Sequence, residues 1–266
     1  MQHKYVFYID SMQLGGANRV MANLANHFSE RGAEVVLIND IIPEKDVPEY
    51  EICKSIKRIF LDIHSTSPII SNIKRICKLR HIIKKENPNI VLSFMGPPNI
   101  RMLLAGLGLR YPKIVSVRND PYKENGSGLV KIITNFIFKF ADGCVFQTQD
   151  ASRYFSRSLQ KKSKIIFNPV GNQFYKVTQV SNPHNVVTVG RLSPQKNQAL
   201  LITAFSKIAH DFPNENLIIY GEGELRNDLE DLAREYGIEE RVVLPGRISY
   251  ISEKLSEAKI FVLPSD

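Results

Sequence analysis

Cysteine is scarce in this sequence: three in 266 residues, Cys53, Cys77 and Cys144, with no CxxC pair. An odd, scattered set excludes a disulfide framework and a cysteine zinc site, and it suits a reducing compartment. Long apolar runs are missing too. No stretch approaches the ~20 residues of a membrane-spanning helix, and Val6 to Ile9 is too short and wrongly flanked for a signal peptide. A cytoplasmic chain is therefore expected. Short-period repeats and low-complexity tracts are absent as well, and Gly15-Gly16 lacks the spacing of a GxGxxG dinucleotide fingerprint.

What is present is ordinary soluble composition, 43% hydrophobic and 23% charged, on a chain long enough for one large domain or two of usual size. The charge is lopsided. Residues 1–170 hold 25 Lys and Arg against 14 Asp and Glu, net +11, whereas residues 171–266 hold 10 against 13, net −3. A basic half joined to a mildly acidic one suggests two domains with different partners.

The stretch Val186–Leu201, VVTVGRLSPQKNQALL, reads as strand, turn and helix. Its β-branched run stops at Gly190, Arg191 follows, and Lys196-Asn197 is expected to open the helix. Ligands of open α/β sheets sit outside the carboxyl ends of the strands, and a helix start beside two cations suits a phosphate or diphosphate. The same pattern also describes a βα turn with solvated charges. Both readings stand on this stretch alone.

Strand and helix patterns alternate along the whole chain, which predicts an α/β fold with a parallel sheet in each half. Lys4–Ile9, a loop with Gly15-Gly16, a helix from Ala17 to about Arg31 and a strand over Ala33–Asn39 form a βαβ opening. The glycine pair sits where backbone approaches a ligand, or is a structural turn. Helices are expected over Ile69–Lys85, after Met95-Gly96-Pro97-Pro98-Asn99 through Leu109, over Leu129–Phe140 and over Gln149–Leu159. The first is basic and amphipathic, with Ile73, Ile76, Leu79, Ile82 and Ile83 inward. Lys74, Arg75 and Lys78 lie elsewhere on it, as contacts for anionic headgroups or as a solvated face. Residues 171–185 read as a linker, with four strand patterns after it, against six in a complete doubly wound half.

An ordered set of motifs carries a family likeness: GGAN at 15–18, FNPV at 167–170, GRLSPQKN at 190–197, YGEGELRNDL at 220–229, LPGR at 244–247 and FVLPSD at 261–266. Together they resemble glycosyltransferase family 4, retaining enzymes of GT-B architecture, over essentially the whole chain. The resemblance implies two Rossmann-like domains, the first (1–170) for the acceptor and the second (186–266) for a nucleotide-sugar. By the same resemblance, Arg191, Lys196 and Asn197 would hold the donor diphosphate. Gly15 and Gly16 would present backbone N–H groups, Gly221 and Gly223 would admit the nucleotide, and Gly246-Arg247 would flank the base. The stretch SVRNDP at 116–121 is similar to family members that extend surface or lipid-linked glycans, which makes Arg118 and Asn119 candidates for sugar contact or simply a strand-end turn. UDP is the expected nucleotide. No DxD triplet occurs, so neither a metal nor another cofactor is expected. The expected acceptor is a polyprenyl-diphosphate-linked or other glycan, with peripheral membrane contact, and no nucleic-acid partner is expected.

One departure stands out. The family's glutamate pair, seven residues apart, would follow FVLPS, and the sequence stops at Asp266 just before it. Truncation of the second domain is therefore expected. A hexosyltransferase seen in part is the favoured reading. A phosphate-binding remnant without activity and a UDP-sugar epimerase are the alternatives.

Overall fold

The computed structural model describes residues 3–265 except 46, 127, 176–182 and 249. Its contacts divide the chain into two units, Met1–Asn168 and Pro169–Asp266.

In the first unit, β1 (Lys4–Ile9), β2 (Glu34–Asn39), β3 (Lys57–Phe60), β4 (Ile90–Phe94), β5 (Lys113–Ser116), β6 (Gly143–Phe146) and β7 (Ser163–Ile165) form one parallel sheet, order β3-β2-β1-β4-β5-β6-β7. That is the doubly wound order, in which the central strands are covered on both faces. They are accordingly apolar throughout: Val6, Phe7, Tyr8 and Ile9 of β1 are all buried. On one face, α1 (Gly16–Glu30) packs Met21, Ala22 and Ala25 against Phe7, Ile9, Val35 and Leu37. The other face is covered by α2 (Pro68–Glu86), α3 (Gly96–Ala105) and α5 (Leu129–Phe138), through Leu79, Ile83, Met102, Leu103 and Phe138.

Several boundaries differ from expectation for local reasons. The third of these helices starts at Gly96, not after Asn99, because Met95 adopts φ +77° and turns the chain at once. It ends at Ala105, four residues before the expected Leu109. Gln149–Leu159 is broken into α6 (Gln149–Arg153) and α7 (Arg157–Gln160), since the Asn135 carboxamide captures the Ser156 N–H at 2.7 Å. Ile73, expected inward, is exposed, while Leu79, Ile82 and Ile83 are buried as expected. The remaining short helix, α4 (Pro121–Asn125), is capped by the Asp120 carboxylate on the Tyr122 N–H.

In the second unit, β8 (His184–Val189), β9 (Leu217–Tyr220), β10 (Val242–Gly246) and β11 (Ala258–Phe261) form a parallel sheet of order β10-β9-β8-β11. Counted within the unit this is 3-2-1-4, the order that opens the first sheet. The helices α8 (Gln198–Ser206), α9 (Arg226–Glu235) and α10 (Ile251–Ser256) connect its strands. The apolar core joins Leu201, Ile202 and Phe205 to Leu217, Ile219, Leu229 and Ala233. The first of these helices begins one residue past the expected Lys196-Asn197, because Asn197 takes a left-handed conformation (φ 49°, ψ 40°) after a short 3-10 turn over Pro194–Lys196. Of the expected linker, residues 176–182 lie outside the described residues, and β8 already starts at His184.

Candidate functional site

The carboxyl edge of the second sheet gathers seven expected residues. Arg191, Lys196 and Asn197 follow β8, Gly221 and Gly223 follow β9, and Gly246 and Arg247 close β10. These three strands are neighbours, so the loops lie side by side.

Backbone bonds weld those loops into one surface. The Leu192 N–H donates to the Glu222 carbonyl (3.1 Å), and the Leu225 N–H to the Leu192 carbonyl (3.2 Å). The Gly221 N–H donates to the Gly246 carbonyl (2.9 Å). A Cβ on Gly223 would sit 2.2 Å from the Leu192 carbonyl oxygen, and Gly221, at φ +143°, would meet the Gly190 oxygen. The two glycines are thus required by chain-against-chain packing. Gly246 is also left-handed (φ +86°), and a Cβ there would meet the Glu222 carboxylate.

Charge on this edge is uneven. Glu222 is held by Arg226 through both oxygens, at 2.6 and 2.9 Å, and these contacts keep its carboxyl below the usual range. Arg191 and Lys196 have no ion-pair partner among the described residues, whereas the Arg247 charge acts on the Glu222 carboxylate. The aliphatic stem of Lys196 lies across Gly190, its carbons 3.5 Å from where a Cβ would stand. Beneath them Gln198 is almost fully buried, and its Nε2 donates to the Arg191 carbonyl (2.9 Å). The pattern is a fixed backbone shelf bearing unneutralised cations, which suits a dianionic phosphate group.

In the first unit, Gly15 and Gly16 sit at the carboxyl end of β1, where α1 begins without a side-chain cap and without an acidic residue in its first turn. The loop before it is fixed by Asn18, whose Nδ2 donates to the Gln13 carbonyl at 2.8 Å. A Cβ on Gly16 would touch nothing within 4 Å. Open backbone donors at a helix start suit an anion.

Arg118 and Asn119 follow β5, two strands from β1 on the same edge. The Arg118 guanidinium lies 4.8 Å over the Phe94 ring and donates to the Asn168 carboxamide oxygen. Burial lowers its pKa from the ordinary value. Asn119 is exposed and bonds Glu124, whose carboxylate also accepts from the Gly96 N–H at 3.2 Å. Partial burial pushes the Glu124 pKa up against both of these donors. Glu124 thus caps α3, a role that no short motif announced.

A buried polar cluster lies nearby and was invisible to motif reading. The Tyr8 hydroxyl donates to Asp40 Oδ1 (2.6 Å) and accepts from Arg101 Nε (2.8 Å), while Arg101 Nη2 meets Asp40 Oδ2 at 2.5 Å. The Asp40 N–H donates to the Asp10 carbonyl at 2.9 Å, which ties the cluster to the loop that leads to Gly15. The one sequence hint was a polar pair, Asn39-Asp40, after an apolar strand.

Lys74, Arg75 and Lys78 stand apart on α2. Lys78 Nζ donates to the Leu61 carbonyl (2.6 Å) and Arg75 to the Ile63 carbonyl (3.3 Å), so both help to hold the β3–α2 connection; Lys74 is exposed. Among the described residues there is no cluster of His, Cys, Asp or Glu arranged for a metal. Nor is any described helix long and apolar enough to cross a membrane.

Comparison with known proteins bears on the family and the fold. Residues 14–172 match the model of "Glycosyltransferase Family 4", and residues 172–266 that of "Glycosyl transferases group 1". An uncharacterized glycosyltransferase of Methanocaldococcus jannaschii is 29% identical over 239 residues, which are 79% of this chain and 58% of that protein. The Campylobacter jejuni GalNAc-alpha-(1->4)-GalNAc-alpha-(1->3)-diNAcBac-PP-undecaprenol alpha-1,4-N-acetyl-D-galactosaminyltransferase is 25% identical over 98% of this chain and 73% of its own length. Among solved structures, Anabaena HepE in complex with UDP and glucose superposes with a TM-score of 0.76 at 16% identity, over 98% of this chain and 73% of that one. The fold is thus that of GT-B glycosyltransferases, and by its matched family models the chain belongs to glycosyltransferase family 4.

Proposed function

We propose that this chain carries the donor and acceptor residues of a retaining glycosyltransferase, which moves a hexose or N-acetylhexosamine from a UDP-sugar to a lipid-linked glycan. One observation carries the reading: among the described residues, Arg191 and Lys196 stand without counter-ions on a rigid shelf at the carboxyl end of β8. As the bond from the sugar's anomeric carbon to the diphosphate breaks, its electron pair stays on the diphosphate. Two fixed cations offset the charge that develops there. An acceptor hydroxyl then forms the new bond on the same face of the sugar and gives its proton to an oxygen of the departing diphosphate.

Gly16 offers backbone donors, and Arg118 and Asn119 are the candidates for contact with the transferred sugar. Without a DxD triplet, the diphosphate is held by cations rather than by a bridging metal. The Campylobacter relative, named for an undecaprenol-diphosphate-linked substrate, and the UDP in HepE support acceptor and donor class respectively.

Calorimetry tests the reading. Arg191→Ala is expected to weaken UDP binding by about ten- to a hundredfold, the worth of one or two hydrogen bonds to a charged group, while uridine binding changes little and EDTA changes neither. Equal loss of UDP and uridine overturns it.

A further inference from the structure

The helix α5 is inside out. Its buried side is narrow, with Thr134 and Phe138, while its outward side is the more apolar one: Leu129 (71% exposed), Val130, Ile132 (66%), Ile133, Phe136 (58%) and, just beyond, Phe140. Spacing of three and four residues places Leu129, Ile132, Ile133, Phe136 and Phe140 on one stripe. A contiguous exposed apolar stripe marks a surface made to be covered.

Residues 126–141 contain Lys131 and Lys139 and no acidic residue, and Asp142, just past Phe140, is paired with Lys113 at 2.9 Å. Lys139 lies 5.9 Å from the Phe136 ring, and Lys131 stands 5.8 and 4.7 Å from the rings of Tyr122 and Tyr154. Tyr122 is itself half exposed. Lysines and amphipathic aromatics around an apolar stripe match the boundary between headgroups and acyl chains. At ~1.5 Å per residue the helix is about 15 Å long, enough to lie in that boundary and far too short to cross it. The basic side of α2 is a weaker fit, because Arg75 and Lys78 are engaged with carbonyls.

We infer that the exposed face of α5 is a docking surface for an anionic lipid bilayer, with the apolar stripe entering the acyl boundary and Lys131 and Lys139 meeting the headgroups. The inference extends the proposed function, since a lipid-linked acceptor would be met at such a surface.

The sequence contains no tryptophan, so Phe136→Trp at this exposed position supplies a single fluorophore. Its emission is expected to shift to the blue on vesicles of phosphatidylglycerol and phosphatidylethanolamine, and not on phosphatidylcholine alone. The wild-type chain should co-sediment with the first vesicles and not the second. Ile132→Glu with Phe136→Glu should lower that binding at least about tenfold, with the thermal melt unchanged because both positions are solvent-exposed. Lys139→Glu should weaken binding and reduce its salt dependence. Absence of any shift or co-sedimentation with anionic vesicles overturns the proposal. So does a blue shift that grows with protein concentration without lipid, which would make a second copy the occupant. UDP binding measured on the same samples separates the two readings. Vesicle failure with UDP binding intact sinks only the docking surface, whereas vesicle binding without UDP binding sinks the proposed function.

Discussion

The Cβ that Gly221 lacks would stand 1.8 Å from the carbonyl oxygen of Gly190, well inside van der Waals contact. Gly221 also holds φ +143°, a conformation for which other residues are strained. The clash is with backbone, on a strand end locked by the Gly190 N–H to the Tyr220 carbonyl at 2.9 Å. No side-chain rotation relieves it. Gly221→Ala is therefore expected to destabilise the second unit by at least about 2 kcal/mol, read as a lower urea midpoint. An unchanged midpoint would mean that the two loops are not packed as described.

Gly16 is the opposite case. It opens α1, and a Cβ there would meet nothing within 4 Å. Neither packing nor backbone angle demands glycine, so its value lies in what approaches from outside. Gly16→Ala should leave stability within about 0.5 kcal/mol or raise it slightly, because alanine is the better helix residue. Sugar transfer from the donor should fall by about tenfold or more through steric exclusion of the ligand. A stable variant with full activity would return Gly16 to an ordinary turn.

These two glycines show what was legible in the sequence and what was not. Both were marked by motif, yet the motif did not say that Gly221 serves the chain and Gly16 leaves open space. The strands and most helices were readable because period and punctuation agree locally, as in KYVFYI of β1 or PIISNIKRICKLRHIIKKE of α2. Departures came where a distant group decided a local question. Asn135 broke the helix expected over 149–159 from 21 residues away. Ile73 fits the apolar period of α2 and is exposed, because the core beneath that helix is filled by Leu79, Ile82 and Ile83. Arg101 and Asp40 are 61 residues apart, and nothing local joins them.

Glu86 gives a pH prediction. Burial opposes its ionisation, but the ammonium groups of Lys57 (2.7 Å) and Lys4 (3.0 Å) outweigh burial and hold its pKa below the ordinary carboxylate value. A carboxyl with a depressed folded-state pKa contributes stability above its unfolded pKa and loses it as pH falls through the folded one. Glu86→Gln should thus cost about 2 kcal/mol at pH 7, and the gap to wild type should close below about pH 4. Urea titrations at both pH values check this; a gap that persists in acid would assign the effect to packing.

The Arg101–Asp40 pair sets the last expectation. Burial raises the Asp40 pKa, while the Arg101 guanidinium and the Tyr8 hydroxyl pull it back. Removing Arg101 alone leaves a buried carboxylate with the Tyr8 phenol as its hydrogen-bond donor and only the more weakly acting Arg75 charge to offset it. Arg101→Leu should therefore cost about 3–5 kcal/mol at neutral pH. Without the cation the folded-state pKa of Asp40 rises further above its unfolded value, so this variant's stability falls as pH rises through that interval. Its deficit should be smaller near pH 4 than at pH 7.5. Adding Asp40→Asn to Arg101→Leu removes the stranded charge and should recover at least about half of the loss at pH 7.5, with no pH dependence left at this site. Denaturation of the three proteins at the two pH values decides it. If the double variant is no better than Arg101→Leu, the guanidinium acts by filling space against Tyr8 rather than by neutralising Asp40, and the loop from Asp10 to Gly15 is held by packing rather than charge.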